Sequence, residues 1–181
     1  NIRFGKLDAT DEEIMKSNTI DLIELDKQRN ERDNISVVLI RTFIVTPIRV
    51  NGDSMDPTLK DKELMILKKY DTDYNRFDIV VVDDSVEGSN LIKRIIGLPG
   101  EKIKCKDGKI YINGKKIDDV YGFGKTSDFL EVKLKNNEYF VMGDNRGVSK
   151  DSRMFGAVYH DELKGTTNLI IYPFSKFGEV K

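Results

Sequence analysis

The chain has 181 residues, enough for one domain with a real core. Apolar residues make up 39% and charged residues 34%, a balance that excludes both a polytopic membrane protein and a disordered chain. With 30 Lys+Arg against 31 Asp+Glu, no Trp and 9% aromatics, it has neither a net positive field nor a stock of stacking rings, so nucleic acid is not an expected partner.

From Lys6 to Asn34 the chain is polar, with sparse apolar positions at Ile14, Met15, Ile20, Leu22, Ile23 and Leu25. Thr10 and Glu13 have capping-box spacing, so residues 1–34 are expected to form a polar, helical N-terminal segment. Ile35 to Val50 is apolar but contains Arg41 and Pro47. It is too short for a bilayer-spanning helix, which takes roughly 20 residues. The β-branched density from Thr42 to Val50 predicts an extended strand instead.

From Gly52 to Tyr172 the pattern is of short strands between turns. Strands are expected at 63–68, 78–82, 90–96, 101–105, 109–112, 138–141 and 167–171. Asn113-Gly114 after Lys109–Ile112 signals a tight hairpin, and Leu98-Pro99-Gly100 another turn. Asp83-Asp84 and Glu87–Asn90 read as a loop, and Ser175–Lys181 as a polar, mobile tail. The expected class is mainly β, with antiparallel sheets folded on themselves over residues 35–181.

Cys105 is single, so no disulfide framework supports the fold, and its alternating setting suits strand filler better than a nucleophile. His160 has no second His or Cys pair beside it, so neither a metal site nor a cofactor is expected. A histidine-based triad would rest wholly on His160, whose polar surroundings suit an exposed loop or cap.

Three segments carry chemistry. In Asn51–Leu59 a strand stops at Gly52 and Pro57 bars ordinary pairing, so the chain turns around Ser54. A serine on such a bend can project its hydroxyl and aim its N–H at a substrate, although a purely local turn fits the same residues. In Asn90–Gly100 two cations, Lys93 and Arg94, interrupt an apolar strand and should face opposite sides, one in and one out or ion-paired. Arg stays protonated, whereas a buried Lys can become a neutral base. Solubilising charges on an exposed edge would look similar. The loop Met142–Gly156 is crowded with polar groups that can satisfy one another: Ser149 could hydrogen-bond a neutral lysine, and Asp151 could pair with Arg153.

Together these segments resemble the type I signal peptidases, in the compact form typical of Gram-positive members. Gly52–Leu59 matches Gly-Asp-Ser-Met-x-Pro-Thr-Leu. Lys93–Gly100 matches the Lys-Arg box, and Gly143–Gly156 matches the Gly-Asp-Asn-Arg box, all in the family's order. The resemblance implies Ser54 as nucleophile and Lys93 as general base. It implies Ser149, Asp151, Arg153 and Asp144 as supporting residues. Some members carry a serine at the position of Gly52, so here the oxyanion would rest on backbone donors such as the Ser54 N–H. The substrates implied are secretory precursors cut after Ala-x-Ala-like sites, bound as an added strand between Ile48–Val50 and the Lys93 strand. Ile48, Val50, Met55, Leu59, Leu91 and Ile92 are the expected pocket residues.

The resemblance also places the catalytic domain on the extracytoplasmic side of the bacterial cytoplasmic membrane, in contact with the membrane surface. Residues 1–34 do not resemble a leader with positive flanks, which points to a shortened or replaced anchor. Two other readings compete: a self-cleaving Ser/Lys repressor-type peptidase, and an inactive membrane-surface binding module. The first lacks an Ala-Gly cleavage site and room for a DNA-binding domain, and the intact third box speaks against the second.

Overall fold

The computed structural model describes residues 44–84 and 89–180. The helices and the boundary expected over residues 1–35 lie outside them. The chain divides into two units, Asn1–Thr46 and Pro47–Lys181, and the second carries the candidate site.

Among the described residues twelve strands form two sheets. They are β1 (Val45–Arg49), β2 (Leu64–Lys68), β3 (Ile79–Asp84), β4 (Ser89–Gly97), β5 (Lys102–Lys106) and β6 (Lys109–Ile112), then β7 (Lys115–Lys116), β8 (Phe129–Lys133), β9 (Glu138–Met142), β10 (Val158–Tyr159), β11 (Leu163–Tyr172) and β12 (Gly178–Glu179). The larger sheet runs β1-β2-β11-β3-β4-β9-β10 with β12 beside β11, and the smaller runs β7-β6-β5-β8. A mainly β, antiparallel fold is what the turn-punctuated sequence led one to expect. The one α-helix of the described residues, α1 (Ser152–Phe155), is a single turn capped by the Asp151 side chain.

Sequence pattern sorts the strands by burial. In β5 Ile103 and Cys105 turn inward while Lys102 and Lys106 stay exposed, so one face is wet. β9 is buried along its whole length because a core cluster covers each of its two faces. Its Tyr139 and Val141 join the Val80, Val82 and Ile95 cluster, whereas Phe140 and Met142 join Ile96, Ile103 and Ile110. Phe140 stacks on Phe129 at 5.1 Å between centroids, a contact worth about 0.5–1.5 kcal/mol beyond burial. A third cluster, Val50, Met55, Leu59, Met65, Ile79 and Ile170, lies beneath the bend that holds Ser54.

The Asn113-Gly114 hairpin forms as expected, with both residues at positive φ, and Asp107-Gly108 makes a second one. Three expectations are corrected. Asp83-Asp84 and Ser89-Asn90 are not loop: β3 and β4 stay paired out to Asp84 opposite Ser89, because their apolar inner halves set the register. β8 escaped notice because a bulge exposes Leu130 beside Glu131 and hides the alternation. The tail is tied down. Gly178–Glu179 pairs with β11, Val180 packs on the third cluster, and Lys176 Nζ donates to buried Glu63 at 2.6 Å.

Candidate active site

β1 runs into Val50, whose N–H and C=O bond to Glu63 and Lys62 and fix where the chain leaves the sheet. Gly52 then takes φ +81°, a left-handed value that a serine would strain, and its N–H donates to Asp61 Oδ1 at 2.9 Å. The backbone folds tightly: Asp56 N–H reaches Asp53 O and Leu59 N–H reaches Met55 O. Met55 and Leu59 anchor the turn by burying almost completely. Ser54 is left half-buried at the rim, and its backbone N–H has no partner among the described residues.

Lys93 comes from the middle of β4, opposite Val80 of β3. Its Nζ lies 2.8 Å from Ser54 Oγ. The residue is 3% exposed. Burial pushes its amine down from 10.5 to about 8, against the opposing pull of the Asp151 and Asp144 carboxylates.

Of the two alternatives expected for Arg94, outward or ion-paired, the structure shows the second. Arg94 points to the other face of β4, yet it is fully buried. Asp144 accepts from its Nε at 2.8 Å and its Nη2 at 2.7 Å, Phe77 O accepts from Nη1, and the guanidinium lies 3.8 Å from the centre of the Tyr121 ring. A guanidinium so fully paired can be buried where a lone charge could not.

The loop after β9 braces the bend. Asp144 also accepts from Thr58 Oγ1 at 2.6 Å, so one carboxylate ties the Ser54 segment to β4. Asn145 N–H donates to Ser54 O at 3.0 Å. Gly143 must be glycine, since a Cβ there would collide with Ser54 O and Ser149 Oγ. Asp151 and Arg153 pair as expected through Nε and Nη2, each at 2.8 Å, and Gly143 N–H donates to the same carboxylate. Burial pushes the Asp151 carboxyl up, but Arg153 and the Gly143 N–H outweigh it and leave the carboxyl below its ordinary range.

The expected hydrogen bond from Ser149 to Lys93 is not formed: Ser149 Oγ is buried and has no hydrogen-bond partner among the described residues. Ser149 nevertheless belongs to the loop, its N–H donating to Asn145 O. Arg146 was not singled out from the sequence. It is buried, donates to Gly143 O at 2.9 Å and pairs with Asp119 across the loop. Its place inside the third box was the available signal, but its partner 27 positions upstream was not legible.

Two openings meet at Ser54 and Lys93. A narrow cleft of about 40 Å³ is lined by Arg49, Val50, Met55, Asn90, Leu91 and Ile92. A broader one of about 510 Å³ extends past Gly52, Asp53, Asp56, Asn145 and Val148. Of the expected pocket residues, Val50, Met55, Leu91 and Ile92 line the cleft. Leu59 and Ile48 do not: Leu59 is core beneath the bend, and Ile48 packs against that core. Cys105 is buried in β5, and His160 is exposed, its ring 5.4 Å from that of Tyr74. Among the described residues there is no cluster of side chains that could hold a metal, and no helix long and apolar enough to cross a membrane.

A serine hydroxyl against a desolvated amine, on a β scaffold, is an arrangement that can activate a nucleophile. Comparison with known proteins narrows the reading. Residues 34–172 match the family described as signal peptidase, peptidase S26. Signal peptidase I of Bacillus amyloliquefaciens is 39% identical over 162 residues, 81% of this chain and 86% of that one. Signal peptidase I S of Bacillus subtilis strain 168 is 41% identical over 158 residues, 78% of this chain and 85% of that one. The crystal structure of a signal peptidase I from Enterococcus faecalis V583 shares 34% identity, covering 51% of this chain and 95% of that one with a TM-score of 0.47. The chain belongs to the signal peptidase S26 family and is a serine endopeptidase of the signal-peptide-processing kind.

Proposed function

We propose that this chain removes signal peptides from secretory precursors by acyl transfer, with Ser54 as nucleophile and Lys93 as general base. The observation that carries the reading is the 2.8 Å approach of Lys93 Nζ to Ser54 Oγ at a site that keeps the amine dry. In its neutral form the Lys93 amine accepts the Ser54 proton as Oγ attacks the scissile carbonyl carbon. The resulting oxyanion accepts from the unpartnered Ser54 N–H. As the C–N bond breaks, the Lys93 ammonium returns the proton to the leaving amine, and an ester on Ser54 remains. Water, deprotonated by Lys93 in the same way, attacks the ester and frees Ser54. Asp144, Asp151 and Arg153 hold the loop that supports the bend, and Ser149 packs within it.

The narrow cleft supports cleavage after small residues. Its volume of about 40 Å³ is a few times the ~10–15 Å³ that one water-sized probe occupies, which favours a small side chain before the cut over a large one. A membrane-surface location for the reaction is supported by Tyr172, Phe174 and Phe177, which expose 52%, 81% and 64% of their surface on one short segment. The extracytoplasmic side of the bacterial membrane is where such precursors are cut.

The test is cleavage of an Ala-x-Ala precursor by the chain and by its Ser54→Ala and Lys93→Ala variants. Both variants should lose cleavage while keeping the fold. Equal cleavage by all three would end the proposal.

A further inference from the structure

The two openings at Ser54 differ in size more than tenfold, about 40 Å³ against about 510 Å³. Both have mixed polar and apolar walls: Val50, Met55, Leu91 and Ile92 supply the apolar side chains of the narrow cleft, whereas the broad one carries the charged residues Asp53, Asp56 and Lys150. A peptide whose scissile carbonyl carbon sits at Ser54 Oγ must leave the site in both directions. If the small residue before the cut takes the narrow cleft, the residues after the cut take the broad one. This assignment rests on the signal-peptidase reading above.

Charge in the broad opening is unevenly compensated. Asp56 is held by Lys60, whose Nζ reaches Oδ1 at 2.5 Å. Lys150, also on the wall, has a partner of its own. Asn145 is fixed through its backbone to Ser54 O. Asp53 is different. It is exposed, precedes Ser54 directly, and its carboxylate makes no hydrogen bond or ion pair among the described residues. Its backbone is fixed by the Asp56 N–H, which donates to Asp53 O, so the carboxylate springs from a fixed point beside the path of the outgoing chain.

We infer that Asp53 determines specificity on the mature side of the cut, favouring precursors with a Lys or Arg in the first two residues after the scissile bond over those with an acidic residue there. An extended chain advances about 3.3 Å per residue, so side chains at those two positions pass within reach of a group adjacent to the nucleophile. The pair forms in an open, solvated cavity, so the expected preference is modest, about two- to fivefold in kcat/KM for each charge change.

The test uses precursor peptides identical except for Lys, Gln or Glu at the first or the second position after the cut. They are assayed with the wild-type chain and with Asp53→Asn and Asp53→Lys. The readout is the Lys-to-Glu ratio of kcat/KM within each enzyme, which does not depend on how much of a variant is folded. The wild type should favour Lys at one of the two positions. Asp53→Asn should bring that ratio close to one, and Asp53→Lys should invert it. A ratio unchanged between the wild type and Asp53→Asn, or a wild type indifferent to the charge, overturns the inference while leaving the peptidase reading intact. Failure of the wild type to cut any of the peptides counts against the peptidase reading itself.

Discussion

Replacing Lys93 with methionine should abolish cleavage and yet stabilise the fold at neutral pH. The amine is 3% exposed, and burial holds its pKa at about 8 instead of 10.5. Keeping the ammonium there costs about 3 kcal/mol relative to the unfolded chain, at about 1.4 kcal/mol per pH unit. Below pH 8 both the folded and the unfolded chain carry the proton, and the cost is constant. Between about 8 and 10.5 the folded chain has shed it while the unfolded chain has not, so stability rises with pH. Above 10.5 both are neutral and the gain is complete. Methionine fills a similar volume without the charge but forfeits the hydrogen bond to Ser54 Oγ, worth about 1 kcal/mol. The net expectation is a variant about 2 kcal/mol more stable at pH 7, or roughly 4–8 °C in Tm for a chain of this size. Thermal unfolding followed by circular dichroism at pH 7, 8, 9 and 10 measures it. The gap should close as the pH approaches 10. A variant that melts below the wild type at pH 7, with a gap that does not change with pH, refutes the reasoning.

Other expectations concern the same residues. In the wild type, kcat/KM should rise about tenfold between pH 7 and pH 9 as the amine of pKa about 8 loses its proton, and a flat profile would remove Lys93 as the base. Asp144→Asn leaves Arg94 buried without its carboxylate and should cost about 3–5 kcal/mol in a denaturant titration. Because Asp144 also raises the Lys93 pKa, the acid limb of that variant's rate profile should move to lower pH. Met55→Ala, at about 2–5 kcal/mol in stability, should widen the narrow cleft, admit side chains larger than alanine before the cut, and let in water that raises the acid limb toward 10.5. Movement of one of those two readouts without the other would separate selectivity from base activation.

Local signals made much of this molecule readable from its sequence. Asn113-Gly114 needs positive φ, and that requirement alone locates a hairpin. Pro57 and Gly52 bracket a bend, and the bend is where Ser54 stands. What resisted reading was long-range. Whether the outer face of β4 is wet depends on Asp144, 50 residues away, and on Tyr121 covering the guanidinium. The sequence therefore left Arg94 open between an outward and an ion-paired place. Leu59 looked like a pocket residue because it ends the first box, yet the Leu59 N–H to Met55 O bond turns it down into the core. Ser149 lies in the right loop, but the sequence could not show that its hydroxyl would miss the amine.

The two cations of β4 divide one problem between them. Strand geometry forces them to opposite faces, and both faces are covered, so each must be reconciled with burial in its own way. Arg94 is reconciled by full pairing, and it is the cation that can be, since its fork meets both oxygens of Asp144. Among the described residues Lys93 has no carboxylate in contact, only a serine hydroxyl, so burial acts on its proton instead. Exchanging the two would leave a permanent charge against Ser54 and a point charge where a fork is needed. Asp144 connects the halves: it neutralises Arg94, holds Thr58 of the serine bend, and stays close enough to temper the Lys93 amine without pairing with it. A carboxylate in contact with Lys93 would keep the amine protonated. Placing that carboxylate across the strand supplies the brace while leaving the amine free to give up its proton near neutral pH.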